Sequence, residues 1–277
     1  MIYLDIDLSF DVKEVSIVIK DFIKTYVKNS GCKGVVIGLS GGVDSALVAL
    51  LCKEVLGKKN TRCVFLPNDT TPKLDFKHLD LIVKKLDLFC VKKEITNIVN
   101  EISKHCVVKP DKLSLANIKT RARMVILFEY ANMTKNLICG TSNKSELLIG
   151  YFTKYGDGGV DIQPIGDLYK TQVWELARYL KIPKEIISKP PTAGLWKGQT
   201  DEKELQISYK HLDIILAGLE QKMNFDEIAK IAGVKTSDVQ RIHYMRIKSQ
   251  HKRRTPLIPK IGIRTIGIDW RSPIQVG

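Results

Sequence analysis

The chain is 277 residues long, with 44% hydrophobic and 27% charged residues, and sets 44 Lys and Arg against 30 Asp and Glu for a formal charge of +14. That length buries one large core, or one core with a small appended lobe. No apolar stretch is long enough to span a bilayer and the acidic N-terminus "MIYLDIDLSFDVKE" is unlike a basic secretory signal, so no membrane partner and a cytoplasmic location are expected.

In chain order, Asp11 to Asn29 repeats apolar residues at helical spacing and stops at Ser30-Gly31. Gly34 to Leu39 is a short β-branched run that predicts a buried strand, and Ser45 to Leu56 resumes with helical spacing. Three more short apolar runs follow, Arg62 to Leu66, Leu86 to Val91 and Asn136 to Cys139. Between them lie helical patterns over Pro72 to Lys85, Glu94 to Lys104 and Ser114 to Asn132. Such alternation predicts an α/β fold, a doubly wound parallel sheet with helices on both faces. Ligands of these sheets bind at the carboxyl ends of the strands, where strand order reverses.

Gly150 to Gly166 and Lys189 to Lys203 are Gly-, Pro- and Asp-rich and read as long functional loops. A helical extension runs from Asp201 to about Lys252, and Pro256, Pro259 and Pro273 break the tail. The six cysteines are scattered without a C-x-x-C pair, which argues against a zinc site or a redox couple.

The charge favours a polyanionic partner, although much of the Lys reads equally well as solvated surface. The strand-to-helix turn "GLSGGVDS", residues 38 to 45, shows how an anion would be held. Its paired glycines let the backbone approach a ligand, and the helix behind offers unpaired N–H groups and the positive end of its dipole. Ser40 and Ser45 add hydroxyls, while Asp44 among phosphates calls for a cation, Mg²⁺ being the natural one. The Walker lysine and the G-x-G-x-x-G spacing are both missing.

The string S-G-G-V-D-S after a first strand resembles the pyrophosphate loop of the N-type ATP pyrophosphatases. Within that superfamily, "GTSNKSE", "GYFTKYGDGG", "DIQPI" and Lys170 follow in the order of the NAD synthetases, and "PPTAGLWKGQTDEKELQISY" and "HKRRTPLIP" are also similar to that family. The resemblance covers about Gly31 to Pro259. It implies an adenine nucleotide alpha hydrolase-like sheet in a single domain over 1–277, made of an N-terminal helix (1–30), an ATP-pyrophosphatase core (31–190) and a helical C-terminal part with tail (191–277).

It implies ATP binding by Gly38, Leu39, Ser40, Gly41, Gly42, Val43, Asp44, Ser45, Thr141, Lys170 and Thr192, and Mg²⁺ held by Asp44 and Glu146. Arg121, Lys154, Asp161, His251 and Lys252 are the implied contacts to deamido-NAD. Asp44, Lys170 and Asp157 are expected to serve catalysis, Lys170 by neutralising the leaving pyrophosphate. Arg123 reads equally well as a surface cation. Residue chemistry alone leaves blander roles open: Glu146 as a helix N-terminal carboxylate, Thr141 as a turn hydroxyl, Asp157 and Asp161 as turn formers.

The reaction implied is attack of the nicotinate carboxylate on the α-phosphate of ATP, loss of pyrophosphate, and attack of ammonia on the acyl-adenylate to give NAD and AMP. Free ammonia is the expected donor, because 277 residues filled by a synthetase leave no room for an amidase domain. A homodimer with the dinucleotide at its interface is implied, with the helix around Met124 to Tyr130 a candidate for that interface and plain core the alternative. Phe225 to Arg254 reads alone as a DNA-binding helix-turn-helix with Gly233 in the turn. Because that span also matches the family's C-terminal helices, no nucleic acid partner is expected.

Overall fold

The computed structural model describes residues 6–196, 198–266 and 269; Pro273 of the expected tail lies outside them. Helix α1 (Val12–Asn29) opens on Asp11, whose carboxylate accepts from the Glu14 N–H, and it buries Ile19, Ile23 and Val27. Strands β1 (Val35–Gly38), β2 (Thr61–Phe65), β3 (Phe89–Lys92) and β4 (Leu137–Ile138) alternate with α2 (Val43–Leu56), α3 (Lys73–Lys85), α4 (Thr96–Lys104) and α5 (Lys112–Thr134).

All pairings are parallel and the order is β3-β2-β1-β4, with Val35 opposite Thr61 on one side and Leu137 on the other. Alternation within the strands splits the core. Val35, Ile37, Cys63 and Phe65 join α1, α2, α3 and a later helix, α7 (Lys170–Tyr179), on one face. Val36, Val64 and Ile138 meet α4 and α5 on the other. The expected parallel sheet with helices on both faces is what the chain forms, its edge strand β3 staying largely exposed.

Two strands are shorter than their apolar runs. Asp87 adopts φ 49°, which ends an extended run, so β3 begins only at Phe89 while Leu86 and Leu88 turn into the core. Left-handed Lys135 likewise delays β4 to Leu137, and Cys139 beyond it pairs with Ile162 in a lone parallel bridge. Among the described residues no helix is long and apolar enough to cross a membrane.

After α6 (Lys144–Ile149) and the loop to α7 come α8 (Lys184–Ile187), α9 (Asp201–Leu205), α10 (Tyr209–Glu220), α11 (Phe225–Ala232) and α12 (Thr236–Lys248). The last three pack around Leu212, Ile215, Leu216, Ile228, Val239 and Ile242 to form a separate cluster that reaches Ile149 and Tyr169. Helices α11 and α12, the span that alone reads as a helix-turn-helix and is expected instead to be family-like helical packing, are buried along one side on α10. Beyond α12 the chain returns through Gln250–Lys252 to the mouth of the cavity described next.

Candidate active site

From β1 the chain runs one way to β2 and β3, then crosses back to β4, so strand order reverses between β1 and β4. A cavity of about 440 Å³ lies there, walled by the ends of β1, β2 and β4 and by the loops around 150–160 and 189–199. That volume suits one nucleotide, leaving a larger ligand to extend outward.

The turn after β1 is held by its own serines. Ser45 Oγ donates to the Gly42 carbonyl at 3.1 Å and accepts from the Ser40 N–H at 3.2 Å, while Ser40 Oγ takes the Gly42 N–H at 3.3 Å. Gly41 sits at φ +79°, and a Cβ there would stand 3.0 Å from the Asp75 carbonyl. Glycine is therefore required by both conformation and space. The helix behind, α2, starts at Val43 with Asp44 in its first turn.

Asp44 meets groups from two distant helices. Lys170 Nζ donates to its Oδ2 at 2.5 Å, and Asn143 Nδ2 donates to its Oδ1 at 3.1 Å. The same ammonium lies 3.7 Å from Glu146 Oε1. Asn143 caps α6 by accepting from the Glu146 N–H at 3.0 Å, a capping box that orients Glu146. Burial alone would discharge Lys170, but the Asp44 and Glu146 carboxylates outweigh it and raise its pKa. Burial, opposed by Lys170 and reinforced by Asp44 and Asp201, pushes Glu146 up to about 8.

Gly38, Leu39, Ser40, Gly42, Val43, Asp44, Ser45, Thr141, Glu146, Asp157, Lys170, Thr192 and Lys252 all line this one cavity. Asp157 accepts from the Thr153 N–H at 2.7 Å, and Thr192 Oγ1 from the Gly194 N–H at 3.1 Å. Gly41 acts behind the wall. Arg121, Lys154 and His251 are absent from the lining and form their own cluster, in which Arg121 donates to the Lys154 carbonyl at 3.3 Å and Lys154 Nζ to the His251 carbonyl at 2.8 Å. Lys252 links that cluster to the cavity, donating to the Gly150 and Phe152 carbonyls at 2.7 and 2.8 Å. Asp161 is exposed at the sheet edge and accepts from the Ile138 N–H at 2.7 Å.

Arg123 is not a surface cation. It lines the cavity, its Nε donates to the Leu66 carbonyl at 3.0 Å, and burial lowers its pKa. Several residues of the site escaped the sequence reading. Asn143 was visible as N-x-x-E before a helix, a capping signature. Asp201 and Tyr209, whose hydroxyl donates to Asp201 at 3.1 Å, lie in the family-like "QTDEKELQISY", where spacing alone singles out no residue.

Among the described residues no three His, Cys, Asp or Glu side chains gather as a metal cage. Asp44 and Glu146, both within reach of one cation at Lys170 Nζ, supply the one or two carboxylates that a Mg²⁺ site needs where phosphate and water oxygens complete the shell. The residues therefore fit that ion.

Known proteins resemble the chain in sequence and in fold. The chain is 43% identical to the NH(3)-dependent NAD(+) synthetase of Sulfolobus acidocaldarius over 256 residues, 91% of either protein. The structure of NMN synthetase from Francisella tularensis matches 91% of this chain and 100% of its own at 32% identity and a TM-score of 0.80. The NH3-dependent NAD synthetase of Campylobacter jejuni, solved with a nitrate ion, matches 91% and 100% at 33% identity and a TM-score of 0.77. A family model described as NAD synthase matches residues 15–256, a span that takes in the cradle, Lys170 and the His251-Lys252 pair, and the chain belongs to the NAD synthase family.

Proposed function

We propose that this chain amidates deamido-NAD to NAD with ATP and ammonia, acting as a single synthetase domain in the cytoplasm, where ATP and reduced thiols such as its free cysteines coexist. The observation that carries the reading is the meeting of a phosphate cradle, a buried Lys170 between Asp44 and Glu146, and Lys252 around one cavity. In this reading ATP lies in the cavity with its phosphates at the α2 N-terminus. The dinucleotide extends past Lys252 towards Arg121, Lys154, Asp161 and His251.

The carboxylate of the pyridine ring attacks the α-phosphate, and pyrophosphate departs against the N–H groups of α2 and the Lys170 ammonium. A carboxylate resists ammonia until adenylation gives it a leaving group, which accounts for the use of ATP. Ammonia then forms the amide and AMP leaves. Asp44 and Glu146 would hold Mg²⁺, whose charge offsets that of the phosphates. Asp157, inside the cavity, is positioned to accept a proton from the attacking nitrogen.

A homodimer accompanies this reading. The far side of α5 leaves Val125 and Met133 exposed at 60% and 76%, whereas Ile126, Leu127, Phe128 and Tyr130 pack on the core. The interface candidate is thus one face of that helix, and the other face is core.

Incubation with ATP, Mg²⁺, ammonium and deamido-NAD should yield NAD, AMP and pyrophosphate; ADP with phosphate as products would overturn the reading. The likeness to NMN synthetase favours a second reading in which a mononucleotide is amidated. The ratio of kcat/KM for deamido-NAD and for its mononucleotide counterpart decides between them.

A further inference from the structure

Helices α6 and α7, which bring Glu146 and Lys170 to the cavity, do not pack on each other through a large apolar surface. They meet at their first turns, where helices expose unpaired N–H groups. Besides a direct bond between them, a carboxylate from a third helix ties the two turns together. Asp213 of α10 is fully buried, its Oδ1 accepts from Ser145 Oγ at 2.5 Å, and its Oδ2 accepts from the Thr171 N–H at 2.9 Å and the Thr171 hydroxyl at 2.8 Å. Ser145 Oγ in turn accepts from the Lys170 N–H at 2.9 Å.

Ser145 immediately precedes Glu146, and Thr171 immediately follows Lys170. One side chain therefore anchors the residue next to each member of the cation–carboxylate cluster. It also satisfies two of the unpaired donors of α7, one directly and one through Ser145, and sets a negative charge at the positive end of that helix dipole. No lysine or arginine pairs with Asp213 in an ion pair among the described residues, so its hydrogen-bonding capacity is spent on this junction.

We infer that Asp213 is a positioning residue for catalysis, which fixes the spacing of Glu146 and Lys170 by tying the first turns of α6 and α7 to the C-terminal helical layer. It touches no substrate. Its effect is transmitted through Ser145 and Thr171 to a lysine whose distances of 2.5 Å to Asp44 and 3.7 Å to Glu146 would otherwise follow only from flexible side chains. The C-terminal helices thereby act on the adenylation step as well as supplying His251 and Lys252. The inference rests on the synthetase reading for the step that is affected.

Two variants test it. Asp213→Asn leaves a single acceptor oxygen, so the side chain can no longer accept from Ser145 and from Thr171 together, and Ser145→Ala leaves Asp213 on Thr171 while cutting the bridge to Lys170. Each should lower kcat for ATP-dependent pyrophosphate release by about tenfold or more, with the KM for ATP within about twofold, because Lys170 acts on charge developed in the transition state. Combining either with Lys170→Ala should cost little beyond Lys170→Ala alone, since residues acting through one group are not additive.

Losses that multiply in the double variants, or a lowered Tm with unchanged kcat, would overturn the inference and leave Asp213 as ordinary packing. Should the wild-type chain make no NAD, the functional reading fails by itself. The same cycle, measured on the affinity for Mg²⁺-pyrophosphate, then decides Asp213: a loss shared with Lys170→Ala supports positioning, and independent losses refute it.

Discussion

Lys170 stands 2.5 Å from Asp44 although the two lie 126 residues apart in the chain, brought together by the packing of α7 on α2, and the ammonium fills the place between Asp44 and Glu146. The lysine is 2% exposed, so the pair is an interior one whose partners depend on each other.

Lys170→Met should therefore do two separable things. Removing the cation leaves the Asp44 carboxylate without its interior ion-pair partner, beside a Glu146 carboxyl that then holds its proton more tightly, at a cost of about 3 kcal/mol in the metal-free protein. It also removes transition-state charge stabilisation, lowering kcat by about a hundredfold. Addition of Mg²⁺ should raise the Tm of the variant more than that of the wild type, because a dication then supplies the missing charge. Equal Mg²⁺ shifts in the two proteins would show that Asp44 and Glu146 do not share the ion.

Glu146 predicts a pH dependence of Mg²⁺ binding. With its pKa pushed up to about 8, the carboxyl is mostly protonated at neutral pH, and an ion that needs the carboxylate must displace that proton. Apparent affinity should rise about fivefold from pH 7 to pH 8, where the group is half ionised, gain about twofold more, and level off above about pH 9. Titration calorimetry in buffers of different ionisation heat should detect proton release on binding. Glu146→Gln should bind more weakly and release none.

Gly150 ends α6 at φ +72°, and a Cβ there would sit 2.2 Å from Ser249 Cβ. Gly150→Ala should push back the turn that carries His251 and Lys252 and weaken the Lys252 bonds to the Gly150 and Phe152 carbonyls. A fall in stability of about 2 kcal/mol is expected, and the KM for deamido-NAD should rise more than the KM for ATP. Steady-state kinetics with each substrate varied separately, alongside a thermal melt, checks both effects.

The exposed face of α5 is open to a direct test by charge. Val125→Glu should turn a dimer into a monomer in light-scattering measurements and raise the KM for deamido-NAD, while leaving the Tm within a few degrees because Val125 is 60% exposed. A variant that remains dimeric would move the interface elsewhere.

The parts of the molecule legible from sequence are those made by contiguous residues. The cradle from Gly38 to Ser45 is a strand end, two glycines and a helix start, and each is a local event. The strands declared themselves by one β-branched run and three short apolar runs, with ends misjudged where Asp87 and Lys135 take left-handed conformations that no apolar pattern encodes. Lys170, Thr192 and Lys252 were found only through family-like motifs, and the structure brings them into one cavity with the cradle. Arg123 was missed as a wall residue because a helix of mixed residues shows no period that separates inside from outside. Asp213 was invisible for a different reason. A buried carboxylate is recognised by its donors, and those of Asp213 lie on two helices far away in the chain.

The sheet has a consequence for how the protein is assembled. Strand β1 is joined on one side by nearby β2 and on the other by β4, which follows only after β3, α4 and α5. The phosphate cradle can thus form early, within a local strand-helix-strand unit, but its opposite wall arrives through a long-range pairing, the slow kind. Nucleotide affinity should appear late in refolding, after most of the helical signal has returned. For the newly made chain, the ability to bind ATP is then a sign that its longest-range contacts are complete.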